Sequence, residues 1–156
     1  TSRASILTGK ALVAYIMQTV QITVVLVLGA AIFGYRPKGS LLALMAVLLS
    51  FSAVLSALGV AIALWSHSRD AALSMSNIVG MLAAGIGGAF CTVSSFPDWA
   101  QHAARLSPAY WANAAINKVS LDGLGFADIA PQIGALLGFF AAFAALALIK
   151  FRYHKE

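Results

Sequence analysis

The chain has 156 residues, of which 61% are hydrophobic and only 10% charged, and its formal net charge is +5 at pH 7. A soluble domain carries roughly 45–50% apolar and about 25% charged residues, so the composition excludes a water-exposed globular fold and assigns most of the surface to lipid. The basic residues are scattered rather than bunched, which argues against a nucleic-acid partner and fits Lys and Arg flanking membrane spans.

A crossing helix takes about 20 mostly apolar residues. The first such stretch runs from about 11 to 33 and stops at the Gly34–Ser40 segment, where Gly and Pro break the helix and Arg36 and Lys38 resist burial. The second covers 41–65 and ends at the polar turn Ser66–Asp70. A third covers about 71–90. The segment from Thr92 to Pro131 is too polar to span and too apolar for a free loop. From Pro97 to Leu106 it reads as a short amphipathic helix, with Asp98, Gln101, His102 and Arg105 on one face and Trp99, Ala103 and Leu106 on the other. Ser107 and Pro108 then read as a cap with Pro at the first helical position. A second helix follows, with Tyr110 and Trp111 at headgroup depth and Asn113, Asn117 and Lys118 as its polar side. The Asp122–Gly125 stretch ends it. The last apolar stretch, about 132–149, leads into a charged tail. The expected fold is an all-α transmembrane bundle of four spans, with an outward-facing re-entrant or amphipathic helical hairpin over 97–121.

Four spans put both ends on one side, and Lys/Arg placement orients them. That side carries Arg3, Lys10, Arg69, Lys150, Arg152 and Lys155; the other carries Arg36, Lys38, Arg105 and Lys118 together with Asp98, Asp122 and Asp128. The excess favours both ends in the cytoplasm of an inner (plasma) membrane protein. The chain opens at Thr1 with no signal peptide, which reads as a piece of a longer protein. Such a piece is expected to insert but to pack poorly alone.

The spans carry no Asp, Glu, Lys, Arg or His at their centres, which argues against an ion-coupled transporter and against acid–base chemistry at membrane depth. The lone Cys91 and the separated His67, His102 and His154 give no metal motif, and there is no HExxH. Gly9-Lys10 is a decoy for a phosphate loop, since the flanking positions hold Ala4 and Ala11. Neutral polar residues do enter the spans: Tyr15, Gln18, Thr19, Gln21 and Thr23 in the first and Asn77 in the third. They read either as a candidate substrate path or as inter-helix hydrogen bonding. Small residues form stripes at Ser52, Ser56, Gly59 and Ala63, at Asn77, Gly80, Ala84 and Gly87, and at Gly134, Gly138 and Ala142, a pattern for close helix packing.

Gly87-Gly88-Ala89-Phe90, Phe96-Pro97-Asp98-Trp99 and Leu106-Ser107-Pro108-Ala109-Tyr110-Trp111 follow in order. This series resembles the C-terminal part of ABC-2 type transporter permeases, the membrane subunits of a class of ABC exporters. Thr92 departs from the pattern, since many members carry Pro there. The resemblance implies spans three to six of a six-span permease, a second permease half in a homo- or heterodimer, and a separate ATP-binding cassette subunit that holds ATP and Mg. This chain would hold no cofactor and have no enzyme activity of its own. Coupling would reach it through the Thr1–Lys10 entry and the Ser66–Asp70 turn, with Arg3, Lys10, His67 and Arg69 on that side. Pro97, Trp99, Pro108, Tyr110 and Trp111 would form the exit hairpin. Aliphatic spans with few charges fit a hydrophobic or amphipathic small cargo, such as a drug, antibiotic or lipid-like molecule. The competing reading is a non-transporting membrane scaffold. An enzyme built on Ser94, Ser95, Asp98 and His102 lacks any motif.

Overall fold

Capping residues place the helix starts. The Ser40 hydroxyl accepts the Ala43 amide at 3.4 Å and the Ser68 hydroxyl accepts that of Ala71 at 3.1 Å, so each satisfies a donor left over in a first turn. Asp70 adds a negative charge at the second of these N-termini, Pro108 opens a third helix, and Gly34, with φ 64, follows the end of the first. In the computed structural model, which describes residues 3–34, 36 and 38–153, the helices are α1 (Arg3–Phe33), α2 (Leu41–Trp65), α3 (Arg69–Ile86), α4 (Asp98–Ala104), α5 (Pro108–Ser120) and α6 (Ala130–Tyr153). Short 3₁₀ turns lie at Val93–Ser95 and Ala127–Ile129, and the described residues contain no strand. Thr1 and Ser2 of the expected coupling entry, Tyr35 and Pro37 of the first turn, and His154–Glu156 of the tail lie outside the described residues.

Three helical stretches are long and apolar enough to cross a membrane: Thr8–Phe33, Leu41–Trp65 and Ala127–Phe151. Helix α3, over the third apolar stretch, has 18 residues and carries Ser74, Ser76 and Asn77. It ends at Ile86, before the expected position 90, because the chain turns at Gly88 with φ 85.

Helix α2 is central and packs against α1, α3, α5 and α6. Its Ala43, Leu44, Val47 and Val54 meet Ala112, Ala115 and Val119 of α5, together with Ile129 and Leu136, in one buried cluster. Without a hydrophobic drive between helices in lipid, small side chains such as Ala112 and Ala115 favour association by letting backbones approach. Four glycines of the expected small-residue stripes do not serve this chain's own packing. A Cβ at Gly59, Gly80, Gly134 or Gly138 would meet nothing within 4 Å among the described residues. Close approach occurs at Gly87, the last member of the Asn77 stripe, and at Gly39 in the turn before α2.

Ser50 and Ser56 donate their hydroxyls to Ala46 O and Ala53 O of their own helix. Ser52, between them and fully buried, has no partner for its Oγ among the described residues. An unmatched buried hydroxyl costs about 1–3 kcal/mol. Ser52→Ala is therefore expected to raise the melting temperature of the detergent-solubilised permease; an unchanged or lower value would mean the hydroxyl is satisfied after all.

Candidate functional site

Two ends of the bundle can be told apart. Thr8 and Ala11 of α1, Val60 of α2 and Leu148 of α6 share one small cavity, so the start of α1 and the ends of α2 and α6 lie together. The Trp65 indole donates to Leu146 O at 3.4 Å, and Lys150 Nζ sits 5.0 Å from the Trp65 ring centroid. Exposed Lys10, His67 and Arg69 belong to this end, as does Arg3, which opens α1. The expected coupling residues thus gather at one end of the bundle.

The hairpin region sits toward the other end. Helix α4 is short and exposed, with Pro97 before it and Trp99 74% exposed. Gln101 Nε2 donates to Phe96 O at 2.8 Å and ties α4 to the preceding turn. Helix α5 is different, because it is inserted between α2, α3 and α6. Ser107 does not cap it; its hydroxyl donates to Ala83 O of α3 at 2.8 Å. Asn113 Nδ2 donates to Gly87 O at 3.1 Å. At the far end, the Lys38 amide donates to Ser120 O at 3.2 Å. Helix lengths agree with this placement. About 21 Å of helix separates Arg69 from Ala83, and the 13 residues of α5 add about 20 Å. Together they roughly match the 37 Å or so expected of the 25-residue α2. Helix α5 therefore begins well inside the bundle and ends beside the head of α2.

The expected polar side of α5 is turned mostly inward. Asn113 and Lys118 are half-buried; only Asn117 is exposed. With the Gln132 amide oriented to satisfy both neighbours, its oxygen accepts from Lys118 Nζ at 3.0 Å and its nitrogen donates to Ile129 O at 3.3 Å. Gln132 is only 7% exposed, so this pair locks α5 to α6. Gln132→Leu is expected to lower stability by about 1–3 kcal/mol, because it strands a half-buried ammonium. The double variant Lys118→Met/Gln132→Leu is expected to recover most of that, as replacing both partners often does. Additive losses in thermal melts would show that the two side chains do not interact.

Pro108 is buried at the first turn of α5, while Tyr110 and Trp111 are half-buried and meet edge to face at 5.4 Å. The Trp111 indole donates to Arg105 O at 2.9 Å and the ring packs against the core. Both aromatics thus brace the corner between α4 and α5.

Between α1, α2 and α5 lies an open groove of about 570 Å³. Gln18, Gln21, Ile22, Val25 and Phe33 form part of its α1 wall. Ile116 and Asn117 of α5, with Leu121 just beyond its end, face them across Leu48 of α2. The residues singled out in the first span therefore divide. Gln18 and Gln21 line the groove. Thr19 and Thr23 donate to Tyr15 O and Thr19 O of their own helix, at 2.8 and 2.7 Å. Half-buried Tyr15 is outside the groove, and exposed Asn77 stands apart on α3. Asn117 joins the groove without having been singled out as path-lining. Its signal was the spacing of Asn117 and Leu121, one helical turn apart.

Ser94, Asp98 and His102 are exposed, and the Ser95 hydroxyl is bonded to that of Thr92 at 3.0 Å. Among the described residues no three His, Cys, Asp or Glu side chains gather to hold a metal.

The sequence model of the family described as ABC-2 family transporter protein matches residues 1–149. Searches of curated proteins and of solved structures each gave no match. The family match covers nearly the whole chain, and the apolar helices α1, α2 and α6 make it a multi-pass membrane protein. The chain belongs to the ABC-2 family of transporter proteins, as a membrane permease component that works with an ATP-binding cassette subunit.

Proposed function

We propose that this chain is the path-and-gate part of an ATP-driven exporter, moving a hydrophobic or amphipathic small molecule across the plasma membrane. The observation that carries the reading is the placement of α5, which starts beside Ala83 inside the bundle, ends at Lys38 and forms one wall of the groove. A half-inserted helix is tolerated at membrane depth only where protein or a cavity satisfies its backbone, and a scaffold has no need of one. In this reading α1, α2, α3 and α6 are spans three to six of a longer permease, and α4 and α5 form a re-entrant hairpin facing outward. Both ends of the chain are cytoplasmic. Arg3, Lys10, His67 and Arg69 form the side that meets the ATP-binding subunit, a second permease half completes the path, and ATP with Mg stays on the partner. Pro97, Trp99, Pro108, Tyr110 and Trp111 shape the exit.

The test is purification of the parent permease in mild detergent, with mass spectrometry of what accompanies it. A stoichiometric ATP-binding subunit, lost when Ser66–Asp70 is replaced by a Gly-Ser linker, is the expected result. A permease that purifies without any ATPase would overturn the exporter reading in favour of a scaffold.

A further inference from the structure

The side-chain amides of Gln18, Gln21 and Asn117 line the same groove, and none has a hydrogen-bond partner among the described residues. Their neighbours Thr19 and Thr23 return their hydroxyls to the helix backbone; the amides do not. Gln18 lies about 15 Å along α1 from Thr8, the first residue of a 26-residue apolar stretch, and so stands near its middle. Hydrocarbon offers nothing to an amide at that depth, and leaving one unmatched costs about 2–7 kcal/mol. Gln18 and, one turn on, Gln21 stand near that depth, and Asn117 faces the same groove nearer the head of α2, so the groove calls for an occupant that hydrogen-bonds.

Charge narrows the class. Among the described residues no ionisable side chain lines the groove. A cationic occupant would need a carboxylate, and an anionic one a Lys or Arg, to offset its desolvation. The charged neighbour in sequence, Lys118, turns its ammonium to Gln132 of α6. Amides offer donors and acceptors together, which suits hydroxyl and amide groups. Shape narrows it further. From Gln18 to Phe33 the groove follows about 22 Å of α1, past Ile22, Val25 and Leu26, and its volume falls within the usual range for small-molecule sites.

We infer that the groove binds an elongate, uncharged amphiphile, with an apolar body along α1 and hydroxyl or amide groups on Gln18, Gln21 and Asn117. Its assignment as cargo rests on the exporter reading; the binding itself does not.

The experiment uses the parent permease with its ATP-binding subunit in lipid nanodiscs, carrying Cys91→Ser and a reporter Val25→Cys. Protection of that thiol from maleimide is measured against three probes of equal chain length: neutral N-dodecanoyl-N-methylglucamine, dodecyltrimethylammonium and dodecyl sulfate, all below micelle formation. The neutral probe is expected to protect saturably at a concentration at least about tenfold below either charged one, a gap of about 1.4 kcal/mol. Gln18→Leu/Gln21→Leu is expected to weaken its protection about tenfold or more, as two lost hydrogen bonds imply. Equal protection by the charged probes, or protection indifferent to the two substitutions, would overturn the inference. So would a thiol unreactive without any probe, which would mean that another helix fills the groove. If the neutral probe protects through the glutamines but leaves ATP hydrolysis unchanged, the site stands and the exporter reading of it falls.

Discussion

Gly39→Ala is expected to destabilise the permease by on the order of 3 kcal/mol, the upper range for overpacking a tight contact. A Cβ at this position would lie 2.5 Å from Val119 O, 2.6 Å from Leu124 O and 3.1 Å from the Gly123 carbonyl carbon. All three are backbone atoms, so no side-chain rotation can make room. Val119 is fully buried, and Leu124 is held by its amide donating to Lys118 O at 3.2 Å. The head of α2 must therefore withdraw from the end of α5, which breaks the Lys38–Ser120 hydrogen bond. Thermal unfolding in detergent checks the magnitude. A melting temperature equal to that of the parent protein would mean that the two turns are not packed together.

Gly87→Ala is the second large effect, expected to cost about 1–3 kcal/mol and to separate α5 from α3. Here the backbone itself is ordinary, with φ −73 and ψ 0, so alanine meets no conformational strain. The obstacle is contact: its Cβ would come within 2.6 Å of Ala109 Cβ, 2.7 Å of Ala83 O and 2.8 Å of Tyr110 N. Those atoms belong to the joint where Ser107 and Asn113 are hydrogen-bonded to α3. Because Ala109 Cβ is the nearest of them, Gly87→Ala/Ala109→Gly is expected to recover part of the loss. A double-mutant cycle reads this directly as non-additivity; strict additivity would put the damage elsewhere.

These two glycines also show what the sequence could and could not reveal. Hydropathy and turn residues made the apolar helices legible, and Ser107-Pro108 marked the start of α5 to the residue. The resemblance through Gly87, Pro97 and Trp111 led to the family that the chain belongs to. Long-range docking was not legible. Asn113, Asn117 and Lys118 share a polar stripe, and a stripe alone does not say whether it faces water or another helix. Only the fold brings Gln132 to Lys118 and Gly87 to Asn113. Spacing likewise grouped Gly59, Gly80 and Gly134 as packing stripes. Close approach occurs at Gly87, a member of one such stripe, and at Gly39, which sits in a turn outside any helical repeat. In the first span, five polar residues looked alike. The two threonines satisfy themselves locally, as β-hydroxyls in helices do, whereas the amides of Gln18 and Gln21 make no such bond among the described residues and line the groove.

Helix α5 is bonded to α3 at one end and to the head of α2 and to α6 at the other, while its exposed side forms a wall of the groove. Helix α3 begins at the end of the bundle that carries His67 and Arg69. A displacement of α3 at that end would reach the groove through the Ser107, Asn113 and Gly87 joint. Coupling of this kind requires two arrangements that nucleotide binding distinguishes. The most direct measurement is the electron–electron distance between spin labels at Gln21→Cys and Leu121→Cys, on opposite walls of the groove, in a Cys91→Ser permease bound to its ATP-binding subunit. The distance distribution is predicted to shift between the nucleotide-free and the vanadate-trapped complex. Identical distributions in the two states, in a complex that still hydrolyses ATP, would contradict the claim that this groove is the path that the partner drives.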